Sequence, residues 1–372
     1  MPTFGMADNS RYKGKTSVFV TYANAATNAS LEDSLFINLG FDGNASTQFI
    51  MDTGSCGIVA SPDRFTPAPG ATNLGPGQTF YTDGSFVRTL TGTVWSATEQ
   101  IYDENGVLKA TSDVPVLLVT QEVQDGQMLT PANIAVMGIG FGREGDLLPL
   151  KTPAFNPFLN LTSIKKKKKL IPLPKDWVNG YIIKPNGVEL GLTFFNTRRA
   201  GFIQLTPLPQ FSTPKLPEWM PMSMTVSVNG VSGDGQSVMD TGIRNGIINP
   251  PPGANLGPLV NCPGTQTPAC VGGGDVIQVY YPNQFDPVAY YTFTTGQTGN
   301  PMQPDSVAVQ TRDTIYWNTG RHFIGGINFV YDNTHGLAGF IWNHQTSHQF
   351  GFVHPTDHKH HHKHSSSEDC SH

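Results

Sequence analysis

The sequence contains one short pattern twice. The stretch "FIMDTGSCGIVAS", Phe49–Ser61, is answered by "SVMDTGIRNGIINPP", so Asp240-Thr241-Gly242 repeats Asp52-Thr53-Gly54 after 188 residues. Each triplet follows an apolar residue and a methionine, and each ends a hairpin pattern. "LFINLGFDGNASTQFIMDTG" turns at Asp42-Gly43, and "MTVSVNGVSGDGQSVMDTG" turns at Asn229-Gly230. Both dipeptides suit tight hairpins because they tolerate positive φ. A third landmark extends the match. Val136-Met137-Gly138 and Phe323-Ile324-Gly325 are apolar-apolar-glycine triplets whose glycines lie 86 and 85 residues after Asp52 and Asp240. A chain built this way is expected to fold as two copies of one β-unit, each ending a strand in an aspartate.

Composition agrees with a mainly β fold carrying a few short helices. Gly (40) and Pro (29) are abundant and charged residues make up only 14% of the 372 positions. Apolar segments such as "SLFINLGF" and "VIQVYYP" are short, often alternate, and stop at turn residues. The length suits two domains. We place an N-terminal unit at 1–190, a C-terminal unit at 191–352 and a His-rich disordered tail at 353–372.

Two facing carboxylates, one from each unit, can share a proton because both cannot ionise cheaply at close range. The pair then offers a base to deprotonate water and an acid to protonate a departing amide nitrogen. Gly54 and Gly242 let backbone approach the carboxylates, and Ser or Thr hydroxyls can hold them by hydrogen bonds.

On these motifs the chain resembles the pepsin-like aspartic endopeptidases, from about Ser17 to Phe352. The resemblance implies a bilobal fold of two pseudo-twofold-related β-lobes with a cleft between them. It implies a catalytic dyad of Asp52 and Asp240, Thr53 and Thr241 bonded across the lobe interface, and Ser55 bracing Asp52. It also implies a flap hairpin over the cleft. In "TFYTDGSFVRTLTGTV", Tyr81 is the expected flap tyrosine and Asp83-Gly84-Ser85 its turn, with Phe86 an alternative tip residue. The expected reaction is hydrolysis of peptide or protein substrates at acidic to weakly acidic pH, by a monomer, without organic cofactor or metal. The alternative is a non-catalytic peptide-binding or inhibitor protein on the same scaffold. One position departs from the pattern: Ile243 stands where the family places Ser or Thr, so Asp240 is expected to lack a brace and the activity optimum to be less acidic. Arg244, next in the chain, either faces the cleft or is a solvated loop residue.

Other features bound the function. The net charge of -5 gives no basic field for nucleic acid. No apolar run reaches the length of a membrane span. The lysine run in "IKKKKKLIPLPK" is expected to be a solvated loop inserted late in the N-terminal unit. Cys262 and Cys270 bracket "CPGTQTPAC" and suit a disulfide, although four cysteines allow three pairings. With the sequons at Asn28, Asn44 and Asn160, they lean toward a secreted or extracytoplasmic protein whose signal or pro-segment is not visible. The tail holds seven of the eleven histidines without metal-ligand spacing, and no nucleophilic-serine or phosphate-loop motif occurs.

Overall fold

The computed structural model describes residues 11–28, 30–42, 45–82, 87–143, 147–148, 153–263 and 268–343. The flap-turn residues Asp83, Gly84, Ser85 and Phe86, the sequon asparagine Asn44, and the tail 353–372 lie outside them. The protein is mainly β, with one four-residue α-helix at Phe194–Thr197 and a few 3-10 turns among the described residues.

The described strands form three sheets. A thirteen-stranded sheet takes strands between Phe36 and Pro172, and a nine-stranded sheet takes those between Met222 and Asn318. A six-stranded sheet is shared. Val18–Thr21, Gly187–Leu190 and Gly180–Lys184 come from the N-terminal half, and Ile327–Asp332, Leu337–Trp342 and Gly201–Gln204 from the C-terminal half. The two halves join where Gly180–Lys184 pairs antiparallel with Ile327–Asp332. The boundary drawn at residue 190 therefore ends a strand of a sheet common to both halves.

Each large sheet holds its aspartate by the same strand arrangement. In the first, Phe36–Phe41 and Thr47–Asp52 form an antiparallel hairpin with Asp42 at φ 50° in its turn. Phe49 and Met51 are fully buried while Gln48 is exposed and Ile50 half-buried, the two-residue period of a strand with one core face. The next strand, Cys56–Ala60, is buried throughout, as its unbroken apolar run implies. A later strand, Ala135–Ile139, slots between these two, parallel to the first and antiparallel to the second, and sets Gly138 opposite Asp52.

The second sheet repeats the plan. Met222–Val228 and Val231–Val238 pair through Asn229 (φ 50°) and Gly230 (φ 84°), both in the left-handed region that a primed hairpin turn requires. Tyr316–Asn318 then lies between Val231–Val238 and Gly246–Asn249. This corrects the third landmark. Gly325 sits in the 3-10 turn Arg321–Gly325, outside any strand. The positional counterpart of Gly138 is Gly320, which ends "YWNTG". A Cβ on Gly138 would lie 2.6 Å from the backbone nitrogen of Cys56, and one on Gly320 2.8 Å from the carbonyl oxygen of Arg244. Cys56 and Arg244 each stand four residues after their aspartate.

The lysine run is also corrected. It forms a hairpin of Leu161–Lys166 with Lys169–Pro172 at the rim of the large sheet, with Lys167 at φ 58° in the turn. Leu161 and Ile164 are buried while Lys166–Lys169 face solvent, so the charges blunt a sheet edge.

Candidate active site

Asp52 ends the strand Thr47–Asp52, Asp240 stands two residues past the matching strand Val231–Val238, and the two meet at the junction of the two halves, each only 6% exposed. The contact is reciprocal. A Cβ at Gly54 would lie 2.3 Å from Asp240 Oδ2, and a Cβ at Gly242 would lie 2.4 Å from Asp52 Oδ1. Any larger residue at either position would displace the opposing carboxylate, so glycine is required here by close approach.

Behind the carboxylates the two threonines cross. The Thr53 N–H donates to Thr241 Oγ1 at 3.0 Å, and the Thr241 N–H donates to Thr53 Oγ1 at 2.9 Å. The Thr53 hydroxyl donates onward to the Met239 carbonyl, and the Thr241 hydroxyl to the Met51 carbonyl at 2.8 Å. Four bonds thus tie the strand ends together, with both threonines buried.

Each carboxylate is held in turn by two donors. Asp52 Oδ1 accepts from the Gly54 N–H at 2.7 Å, and Asp240 Oδ1 from the Gly242 N–H at 2.8 Å. Asp52 Oδ2 accepts from the Ser55 hydroxyl at 2.5 Å. Asp240 Oδ2 accepts from Asn318 Nδ2 at 2.6 Å. The expectation of an unbraced Asp240 fails on this bond. The Asn318 amide is itself fixed, since its Oδ1 accepts from the Gly320 N–H at 2.9 Å, which turns the NH2 group toward Asp240. Ile243 has another task, packing with Val238, Ile247 and the Cys262–Cys270 pair.

Burial, then the charge of Asp240, pushes the Asp52 carboxyl above the usual carboxylate range. The Ser55 and Gly54 hydrogen bonds pull against that rise.

Above the carboxylates is a cavity of about 380 Å³, large enough for several side chains of a ligand. Ile50, Leu90, Val136, Val238, Ile243 and Ile247 supply apolar lining. Phe80, Tyr81 and Thr82 line it from the end of Asn73–Thr82, which pairs antiparallel with Val87–Trp95. Tyr81 therefore faces the same cavity as both aspartates. The six-stranded sheet supports the site from below: Phe141 stacks on Tyr331 with ring centroids 4.2 Å apart, and the Gly142 N–H donates to the buried Glu218 at 2.9 Å.

Two residues near the second aspartate, Asn318 and Arg321, escape the sequence patterns. Asn318 braces Asp240. Arg321 is 4% exposed, and its Nη2–H reaches the Gly242 carbonyl at 3.4 Å, placing a buried positive charge beside Asp240. Arg244 is an ion-paired bridge, with Glu32 on one side and Asp305 at 2.5 Å on the other. For Asn318 a signal was available: "YWNTG" ends a β-rich run in Asn-Thr-Gly, an amide echo of Asp-Thr-Gly.

Cys262 and Cys270 form a disulfide with the sulfurs 2.04 Å apart. Two sequons are otherwise engaged. Asn28 is buried and donates to the Asp33 carbonyl at 2.7 Å, and Asn160 donates to the carbonyls of Pro153 and Asn156. No helix among the described residues is long and apolar enough to cross a membrane. No protein-family model matches the chain, and no curated protein matches it at a significant level.

Proposed function

We propose that the protein is an aspartic endopeptidase of pepsin-like bilobal architecture, using Asp52 and Asp240 as its catalytic dyad. The observation that carries this reading is the reciprocal seating of two buried carboxylates, each over the other half's glycine, at the floor of a cleft. A binding scaffold gains nothing from confining two acids at such cost; a general acid and a general base need that confinement.

In this reading the dyad holds one proton and one negative charge. The ionised carboxylate removes a proton from a water between the two acids as the water oxygen attacks the peptide carbonyl carbon. The protonated carboxyl gives its proton to the carbonyl oxygen, leaving a neutral tetrahedral gem-diol. The carboxyl protonated in the first step then gives its proton to the amide nitrogen, while the other, now ionised, carboxylate takes a proton from one hydroxyl of the gem-diol. The carbon–nitrogen bond breaks to a carboxylic acid and an amine, and the dyad again holds one proton. No bond forms between enzyme and substrate. The Gly54 and Gly242 N–H groups, Ser55 and Asn318 keep the carboxylates in place throughout.

Peptide or protein substrates would lie extended between the halves, with Tyr81 and the hairpin it belongs to closing over them. A single chain supplies both acids, so a monomer suffices, and the disulfide suits a secreted or extracytoplasmic setting. The test is cleavage of denatured casein from pH 3 to 7, with and without a peptide carrying a secondary alcohol in place of the scissile amide. Cleavage blocked by the alcohol, which mimics the tetrahedral state, is the expected result. Absence of cleavage at every pH overturns the proposal.

A further inference from the structure

The cavity over the dyad is lined by three arginines, Arg88, Arg143 and Arg312, while its only carboxylates among the described residues are Asp52 and Asp240. Arg88 is already matched, its Nε 2.7 Å from the buried Glu122. Arg312 is not. Among the described residues no carboxylate oxygen lies within ion-pairing distance of it.

Arg312 also differs from an ordinary solvated arginine in being held. Its guanidinium carbon sits 3.7 Å above the centre of the Tyr316 ring. Its Nε–H and one Nη2–H donate to Gln310 Oε1 at 2.9 and 2.7 Å. Its own carbonyl accepts from Asn249 Nδ2 at 2.9 Å, which fixes the backbone of the loop. Of the five N–H donors of a guanidinium, these contacts leave the two on Nη1 and one on Nη2, the end-on fork that suits a carboxylate. Stacking and the Gln310 bonds have already restricted the side chain, so less freedom is lost on binding.

We infer that Arg312 is a specificity subsite for an ionised Glu or Asp side chain of the substrate. The inference rests on the peptidase reading of the cleft. Its place along the substrate follows from register. Tyr316 lies opposite Gln236 on Val231–Val238, four residues before Asp240 along the chain, or about 13 Å at roughly 3.3 Å per residue of extended chain. An extended substrate has a similar rise, so the acidic residue falls two to four positions from the scissile bond. The whole chain carries a net charge of -5, which works against acidic substrates at long range; the preference is therefore a local one.

The experiment uses peptides identical except for Glu, Gln or Lys at each position two to four residues on either side of the scissile bond. At pH 5.5 and low salt, kcat/KM for Glu exceeds that for Gln by about tenfold at one position, the scale of one charge-assisted hydrogen bond in a half-open cleft. The ratio shrinks at pH 3.5, where the substrate carboxylate is protonated, and in 0.5 M salt. It falls to near one in Arg312→Gln and inverts toward Lys in Arg312→Glu. Arg198→Gln, which removes a positive charge from the exposed surface elsewhere, keeps the wild-type ratio. A wild-type ratio of one at every position, or a ratio unchanged in Arg312→Gln, overturns the inference. The same peptides with a secondary alcohol replacing the scissile amide give dissociation constants by calorimetry. If no peptide is cleaved, the peptidase reading fails, and the Glu-to-Gln ratio of dissociation constants still decides on Arg312. Binding of neither peptide also overturns the inference.

Discussion

The two aspartates reach the same geometry by different chemistry. Asp52 is braced locally: Ser55, three residues on, donates a hydroxyl to its outer oxygen. Asp240 has no such neighbour, because Ile243 occupies the matching position, and it accepts instead from an amide 78 residues further along the chain. The first site is written in one short loop. The second is assembled by strand pairing, which carries Asn318 beside Val238 and its side chain onto Asp240. Equivalent hydrogen bonds to two carboxylates can thus come from a neighbouring loop residue in one half and from a paired strand in the other.

The largest expected effects test what the halves share. Thr53→Val and Thr241→Val each remove cross-half hydrogen bonds and leave a buried N–H without its acceptor. Each should lower unfolding free energy by about 2–4 kcal/mol. Denaturant titration measures this, and markedly unequal losses break the symmetry. Next are the braces. Ser55→Ala and Asn318→Leu each delete a hydrogen bond to a carboxylate, worth about 1.5–3 kcal/mol. Each should lower kcat/KM about 10- to 100-fold and move the acidic limb of the pH–rate profile upward. If only Ser55→Ala does so, Asn318 is not a brace.

A linked prediction concerns stability and pH. Asp52 has a raised carboxyl pKa in the folded state. Its folding contribution is fully present below the unfolded value of about 3.9 and is lost as pH rises through the folded value. Tm should thus decline across that window, and Asp52→Asn should flatten the decline; an unchanged slope contradicts the burial argument. A smaller effect comes from Ile243→Thr. With Asn318 in place it should change kcat/KM by less than about twofold, whereas in the Asn318→Leu background it should recover activity. That non-additivity is the signature of two donors serving one oxygen. The smallest effect is that of Arg244→Gln, whose half-exposed ion pairs with Glu32 and Asp305 should contribute at most about 1 kcal/mol.

Much of the site was legible because it is local. The hairpins, their turn residues and the two Asp-Thr-Gly triplets follow from short-range patterns. The rest depended on pairing between distant segments. Seeking apolar-apolar-glycine found Phe323-Ile324-Gly325 and passed over Asn318-Thr319-Gly320, because the pairing position demands a glycine rather than two apolar predecessors. The lysine hairpin was hidden for another reason. A register shift between Leu161 and Ser163 lets Leu161 and Ile164 both bury although they are three residues apart, which defeats the two-residue period of a strand.

The most direct test is the pair Asp52→Asn and Asp240→Asn, with the double variant, assayed on one peptide substrate. Groups that act as a unit are strongly non-additive. Each single substitution should reduce kcat/KM at least about a thousandfold, with the double variant no worse than either. Substantial cleavage by either single variant would contradict the assignment of a shared dyad.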